Sequence, residues 1–133
     1  MAIARDGPVD PEEIENLRET VGWERTPGTY GRILAKHYAH YTARSDGGLL
    51  VGYVSLLSDG IADAFLVDLM VHPAYQRRGL GGALVRQTVR ALRADGIRCI
   101  EVIFDPALEG FYQRCGFHIL RAGILDTWGS EAS

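Results

Sequence analysis

Hydrophobic residues recur along this chain with two different periods, which predicts a mixture of helices and strands. Their spacing is helical over 11–22 and over 79–94, where apolar positions follow each other every three or four residues. Apolar runs of strand length, bounded by glycine, aspartate and proline, occupy other segments. They predict strands over 38–44, 49–57, 64–71 and 97–104.

Start and stop signals add detail to the predicted helices. Asp10, Pro11 and Glu13 have the spacing of a capping box with proline at the first helical position, so the first helix begins there. Shorter helices are predicted over 29–36 and over 106–115.

The two ends of the chain have weaker patterns. Residues 117–120 and 124–128 predict a final hairpin. Residues 1–8 and 129–133 carry no periodic pattern, and we expect both of these ends to be flexible. Because no linker or repeat separates the elements, the whole chain, 1–133, is predicted to form a single domain.

The order of the elements predicts the architecture. Helices come first, then three strands joined by short turns, then helix and strand in alternation. This order is typical of an α/β (α+β) sandwich with a mixed, mostly antiparallel sheet flanked by helices. The strands over 64–71 and 97–104 are joined by the long helix, so they form a central β-α-β unit and are expected to be parallel.

Composition narrows the functional class. The chain has 133 residues, of which 47% are hydrophobic and 23% charged, as is ordinary for a soluble globular protein. Its net charge of −3 disfavours nucleic acid as a partner, and no apolar run is long enough to cross a membrane. With two cysteines and no visible secretory signal, we expect a cytoplasmic protein. No Cys-x-x-Cys or His-x-x-x-His pair is present, so no metal site is predicted.

The segment that carries most chemical information lies between the strand over 64–71 and the long helix. Gly79, Gly81 and Gly82 stand where that helix begins. Glycine allows a ligand to approach the main chain closely, and the first N–H groups of a helix have no partner within it. A strand, a glycine turn and a helix start are therefore typical of a binding site for a phosphate or pyrophosphate.

The spacing of these glycines selects among phosphate-binding loops. The dinucleotide fingerprint requires Gly or Ala at position 84, where this chain has Leu84. The nucleotide-triphosphate loop requires a Lys-Ser/Thr pair, which is absent. The pattern that is present, Gln76-x-x-Gly79-x-Gly81, resembles the pyrophosphate loop of the GNAT superfamily of acyl-CoA-dependent N-acetyltransferases.

A second segment strengthens this resemblance. Residues 105–117 read Asp-Pro-Ala-Leu-Glu-Gly-Phe-Tyr-Gln-Arg-Cys-Gly-Phe. They are similar to the second GNAT segment, in which a short helix carries Phe-Tyr and ends at Gly-Phe. The family usually has asparagine where this chain has Asp105. Because both segments occur in the family's order, the chain is identified as a member of this superfamily.

The resemblance implies acetyl-CoA as co-substrate and assigns its contacts. In similar proteins the two parallel strands splay apart, and the pantetheine arm bonds to exposed strand backbone. The implied cofactor-binding residues are Leu69, Met70 and Val71 on the strand, Gln76, Arg77, Arg78, Gly79, Leu80, Gly81 and Gly82 in the loop, and Asp105 and Tyr112 in the second segment. At position 105 a carboxylate cannot donate a hydrogen bond as the family's amide does.

The resemblance also implies the reaction, transfer of the acetyl group to a primary amine by direct attack in a ternary complex. It gives Tyr112 the role of general acid, because a phenol is protonated at neutral pH and can donate to the departing thiolate. Asp68, on the strand beside the expected acyl site, is the expected general base. His37 and His40 are rivals for that role.

Several alternatives stay open at this stage. A non-catalytic acyl-CoA-binding module, used for sensing or assembly, would employ the same loop, and Tyr112 favours the enzyme over it. In this superfamily the acceptor, a small-molecule or peptide amine, is set by the first helices and the last hairpin, where the resemblance is weakest. The short C-terminal region suggests a homodimer in which a second subunit completes the acceptor pocket.

Overall fold

A five-stranded sheet is the framework of the protein in the computed structural model, which describes residues 1–129. The strands follow one another across the sheet in chain order. Their bounds are Ala2–Arg5 (β1), Ala39–Arg44 (β2), Leu50–Ser58 (β3), Asp63–Val71 (β4) and Cys99–Val102 (β5). Neighbours are antiparallel as far as β4, and β4 and β5 are parallel. The predicted mixed, mostly antiparallel sheet with a β-α-β unit is therefore confirmed.

The described residues also form four α-helices: Pro11–Thr20 (α1), Thr29–Lys36 (α2), Leu80–Ala94 (α3) and Glu109–Arg114 (α4). The predicted capping box of α1 is present. Asp10 Oδ1 accepts from the N–H of Glu12 at 2.9 Å, and the N–H of Asp10 donates to Glu13 Oε1 at 2.9 Å. Among residues 1–129, no helix combines the length and the apolar character that crossing a membrane requires.

One face of the sheet is covered by the first two helices. Ile14 and Leu17 of α1 and Tyr30 of α2 form a buried core with Tyr53 of β3 and Met70 of β4. This face matters for function, because it carries the polar side chains that are described below.

The opposite face of the sheet is covered by α3. At Gly52 of β3, an added Cβ would lie 2.8 Å from Leu84 Cδ1 of the helix and 3.0 Å from the Cβ of Ala43. Glycine at this position therefore lets α3 lie close against the sheet. The position of α3 fixes where its first turn stands at the end of β4.

By its internal contacts the chain divides into two compact units. The first, Met1–Val102, contains the whole sheet with α1, α2 and α3, and the second begins at Ile103 and contains α4. A single domain across 1–133 stays a prediction.

The N-terminus differs from its prediction. Residues 1–8 were expected to be flexible, yet β1 lies within them and pairs with β2 from Ala2 opposite Arg44 to Arg5 opposite Tyr41. The strand has only four residues, and they are largely exposed. So short a stretch shows no alternation of apolar and polar positions, and its order comes from hydrogen bonds to a strand more than 30 residues away.

The predicted final hairpin is wrong, because residues 117–129 form neither helix nor strand. An aspartate turn takes its place at the end, where Asp126 Oδ1 accepts from the N–H groups of Trp128 and Gly129 at 2.9 and 3.1 Å. Such local bonds compete with strand pairing. The apolar side chains that led to the prediction are exposed, as for Leu125 at 83% and Trp128 at 97%. The expected flexibility of residues 130–133 falls outside the described residues.

Candidate functional site

The glycine loop, residues 76–82, connects the end of β4 to α3 and presents main-chain N–H groups. Gly79 is the N-cap of α3 with φ +80°, and Arg77 also has a positive φ, of +62°. No side chain caps the first turn of α3. The N–H groups of Leu80, Gly81 and Gly82 are therefore available to a ligand, and the helix dipole favours an anion there. This is the arrangement that the sequence predicts.

Side chains brace the glycine loop against the end of β4. Gln76 Nε2 donates to the carbonyl of Val71 at 2.8 Å. The Arg78 guanidinium lies over the Tyr75 ring, 5.3 Å from its centroid. Gln76 thus holds the loop in place, whereas Arg77 and Arg78 are exposed and carry positive charge beside the free N–H groups.

A β-bulge distorts β4 at Asp68. Tyr53 of β3 pairs with Met70, and Ser55 of β3 pairs with Val67, so β4 has two residues where β3 has one. Asp68 is one of the two and has φ +57°, a left-handed conformation that is uncommon for residues other than glycine. Such strain is maintained only where the surrounding structure imposes it, and it is frequent at functional sites.

The edge of β4 that faces β5 is only partly paired. β5 pairs with β4 over Asp63–Leu66 and not beyond, within the first unit. The last part of β4, which includes Leu69, Met70 and Val71, therefore has no β5 partner for its main chain. Met70 is only 2% exposed as a whole residue, whereas its neighbours Leu69 and Val71 are partly exposed.

The Asp68 cluster, defined as Arg18, Tyr30 and Asp68, holds the expected base in position. The Tyr30 hydroxyl donates to Asp68 Oδ2 at 2.8 Å and accepts from Arg18 Nη1 at 3.1 Å. No hydrogen bond reaches Asp68 Oδ1 from any residue among 1–129. One carboxylate oxygen is thus fixed, and the other is left to accept a proton.

Burial dominates the electrostatics of two tyrosines beside Asp68. It raises the pKa of Tyr30, which the negative charge of Asp68 raises further. Burial also raises the pKa of Tyr53 to about 12. The rings of Tyr30 and Tyr53 meet edge to face, 6.1 Å apart, and the Tyr53 hydroxyl has no hydrogen-bond partner in the described part of the chain. Both phenols are therefore protonated at neutral pH.

In the second unit, Tyr112 lies within an aromatic group. Its ring contacts Phe104, Phe111 and Phe117, with centroids 4.6, 4.9 and 5.6 Å away. Burial, followed by the neighbouring Cys115, raises the pKa of Tyr112 to about 12. The phenol is therefore protonated over the whole neutral range, as a proton donor must be.

Asp105 caps the short turn that precedes α4. Its Oδ1 accepts from the N–H of Ala107 at 2.9 Å, and Pro106 follows at the first helical position. This cap accounts for an aspartate at position 105 without a ligand.

Three further polar residues lie close together where β1 ends and β2 begins: Asp6, His37 and His40. His37 Nε2 and His40 Nδ1 are 2.8 Å apart, and His40 Nδ1 is 3.5 Å from Asp6 Oδ1. Burial, and then the neighbouring His40, lowers the pKa of His37. The three residues form the only group of three or more metal-ligating side chains within residues 1–129.

The structure thus brings together only some of the site residues that the sequence predicts. Asp68 and the strand and loop residues up to 82 lie together at the end of β4, while Asp105 and Tyr112 belong to the second unit. Sequence reasoning missed the roles of Arg18 and Tyr30 and did not connect Asp6 with the histidines. The Tyr30–Asp68 contact and the contacts of Asp6 with the two histidines join residues more than 30 positions apart, so no local spacing could have indicated them.

Comparison with known proteins gives a consistent result. The family described as "Acetyltransferase (GNAT) domain" matches residues 36–119. "GCN5-related N-acetyltransferase 2, chloroplastic" of Arabidopsis thaliana is 32% identical over 89% of this chain and 54% of its own length. "Uncharacterized N-acetyltransferase ycf52" of Porphyra purpurea is 31% identical over 79% of this chain and 63% of its own.

The solved structures include close matches to the fold. The GNAT family acetyltransferase SP0256 of Streptococcus pneumoniae superimposes with a TM-score of 0.77 at 28% identity, covering 98% of each chain. The present chain spans between 54% and 63% of the length of the two curated relatives above.

Proposed function

The chain belongs to the GNAT acetyltransferase family, and from this premise we propose that it transfers an acetyl group from acetyl-CoA to a primary amine in a ternary complex. The observation that carries the proposal is the glycine loop at the end of β4. Its uncapped first turn of α3 offers Leu80, Gly81 and Gly82 N–H groups to a pyrophosphate, beside the charges of Arg77 and Arg78.

The partly paired edge of β4 supports the same assignment. Peptide groups between 67 and 71 lack a β5 partner and can bond to an extended amide-containing arm. Acetyl-CoA has such an arm, and when bound it supplies an activated thioester. Leu69, Met70 and Val71 are the proposed main-chain contacts.

Asp68 is the proposed general base. In the reaction the amine nitrogen forms the C–N bond, the C–S bond breaks, and the amine loses one proton. Asp68 Oδ1 accepts that proton, directly or through water, because Oδ2 is already held by Tyr30.

Tyr112 is the proposed general acid, on the match of its segment to the family and on its raised pKa. Its phenol donates a proton to the departing thiolate, so that the products are an amide and the free thiol of CoA.

The test follows release of free CoA thiol from acetyl-CoA with a broad panel of amines, for the wild type, Tyr112→Phe and Tyr41→Phe. Tyr41 is a matched control, because it is also a buried tyrosine. We expect amine-dependent release that falls at least tenfold in Tyr112→Phe and is retained in Tyr41→Phe. Binding of acetyl-CoA without release from any amine would instead favour a non-catalytic acyl-CoA-binding module.

A further inference from the structure

We propose that Asp6, His37 and His40 form a binding site for a divalent transition-metal ion of the zinc class. Two imidazole nitrogens and one carboxylate oxygen are the donor set, and the three donor atoms lie within 4.8 Å of one another. Imidazole and carboxylate are ligands that zinc uses in proteins. The proposal rests on these three donors and not on the activity proposed above.

The positions of the donors are close to those that a metal ion requires. Zinc binds histidine nitrogen at about 2.0–2.1 Å in tetrahedral geometry, which separates neighbouring donor atoms by about 3.3 Å. His40 Nδ1 and Asp6 Oδ1 are 3.5 Å apart and need almost no movement. The two imidazole nitrogens, at 2.8 Å, must separate by about 0.5 Å. His37 follows the last residue of α2 and is only partly buried.

A main-chain contact selects the tautomer of His40. Its Nε2 lies 2.8 Å from the carbonyl oxygen of Gly7, which can only accept a hydrogen bond. Nε2 therefore carries the hydrogen, and Nδ1 of the neutral ring has a lone pair directed towards Asp6 and His37. A carbonyl partner on the second nitrogen is the usual support of a metal-binding histidine, because it fixes the tautomer and the orientation of the ring.

The contact between the two histidines then requires a positive centre. Two nitrogen lone pairs cannot face each other at 2.8 Å, so a proton or a cation lies between His37 Nε2 and His40 Nδ1. If the proton is there, His37 Nδ1 is left as a bare acceptor, and this buried atom has no partner among residues 1–129. With a metal ion on Nε2, His37 would carry its hydrogen on Nδ1 instead, and the Asp6 carboxylate would join the same group of ligands.

Asp6 is held where a ligand would have to be. It has φ +51°, a strained conformation for a residue other than glycine. Two main-chain contacts with His40 fix it: the Asp6 N–H donates to the His40 carbonyl at 2.7 Å, and Asp6 Oδ1 accepts from the His40 N–H at 3.1 Å. Arg5 approaches only the other oxygen, Oδ2, at 3.9 Å. A bound ion would join the end of β1 to α2 and β2, with its fourth position open to solvent on the exposed side of Asp6.

The test uses the full chain without a polyhistidine tag, treated with chelator and then dialysed. Zinc is titrated by calorimetry, and thermal unfolding is followed with and without zinc. We expect one zinc ion per chain and a melting temperature higher by about 5–10 °C at a hundredfold excess of zinc over Kd. Cobalt in place of zinc should give a d–d spectrum without the thiolate charge-transfer band that cysteine ligands would produce.

Two variants and one control make the test specific. Asp6→Asn and His37→Gln should each weaken zinc binding at least tenfold and reduce the thermal shift. His72→Gln should bind zinc as the wild type does, because His72 lies outside the group and caps the turn at Ala74. Both variants carry replacements on partly exposed residues, and circular dichroism verifies their folding. An absence of stoichiometric binding, or unchanged binding in both folded variants, would show that the pair is only a hydrogen-bonded imidazole pair and overturn the proposal.

Discussion

The glycine loop follows Asp68 closely along the chain, yet the loop and the Asp68 cluster are built in different ways. The loop acts through main-chain N–H groups, and the residues that shape it lie within seven positions of one another. The cluster acts through side chains, and its three members come from α1, α2 and β4. A site made of local backbone depends on glycine at a few positions, whereas a site made of side chains depends on how distant elements pack.

The largest effect expected concerns the backbone of the loop. Gly79→Val should lower acetyl-CoA affinity about 100-fold, because a β-branched residue does not adopt φ +80° without strain on the order of 1–3 kcal/mol and the N–H groups then lose their direction. An added Cβ at this position has no atom within 4 Å, so the effect would come from the backbone and not from a clash. Calorimetric titration with acetyl-CoA measures it.

Gly96→Val is the matched control for the loop variant. Gly96 also has a positive φ, of +87°, with no atom within 4 Å of an added Cβ, but it follows the C-terminal end of α3. It should cost similar stability and leave acetyl-CoA affinity unchanged. Equal loss of affinity in both variants would mean that general destabilisation, not the loop, explains the result.

The next effect separates binding from chemistry in the cluster. Asp68→Asn should lower kcat about 100-fold, because the amide cannot accept the amine's proton as a carboxylate does. The KM for acetyl-CoA should stay nearly unchanged, since the loop is intact. Steady-state kinetics of the N-acetylation reaction provide the measurement, with Asp46→Asn as a control for loss of one exposed carboxylate. Wild-type turnover in Asp68→Asn would remove Asp68 from the mechanism.

The comparison also explains what could be predicted from the sequence. The strands β2, β3 and β4 and the helices α1 and α3 follow apolar periodicity, and the loop follows glycine spacing, so local information was sufficient for them. β1 has too few residues to show a period, and its pairing depends on β2. The C-terminal segment has apolar positions at strand spacing, but Asp126 binds its own neighbouring N–H groups instead.

The candidate site likewise has one part that local sequence predicts and another that depends on the packing of distant elements. Asp68 could be selected because it lies in the strand before the loop. Its bond to Tyr30, 38 residues earlier, arises only when α2 packs on the sheet. The group of Asp6, His37 and His40 also depends on packing. The spacing of the two histidines gives no sign of Asp6, which comes near them only when β1 pairs with β2.

A smaller effect tests whether Tyr30 positions the base. Tyr30→Phe removes the bond to Asp68 Oδ2 and should lower kcat about tenfold, with the KM for acetyl-CoA unchanged. In the Asp68→Asn background the same change should add little, because both replacements act on one interaction. Tyr53→Phe is the control, since Tyr53 is equally buried beside Tyr30 but its hydroxyl contacts no partner in the described residues. Fully additive losses would show that Tyr30 acts on something other than Asp68.

The smallest effect concerns the stability of Tyr53→Phe. Its hydroxyl is buried without a hydrogen bond to residues 1–129, so at pH 8 its removal should leave the free energy of unfolding unchanged or raise it by about 1 kcal/mol. Burial raises the pKa of Tyr53 from 10.0 to about 12 in the folded chain. Because the pKa in the folded chain is the higher one, the associated stabilisation is complete below pH 10 and is lost as pH rises towards 12.

That loss should reach about 1 kcal/mol at pH 11 and approach about 3 kcal/mol only above pH 12, and it should be absent from Tyr53→Phe. Urea unfolding of both proteins at pH 8 and pH 11 measures the difference. Tyr30 and Tyr112 remain in both chains, so their own titration cancels from the comparison. If the variant instead loses stability at pH 8, the Tyr53 hydroxyl has a hydrogen-bond partner, such as Ser55 or an ordered water.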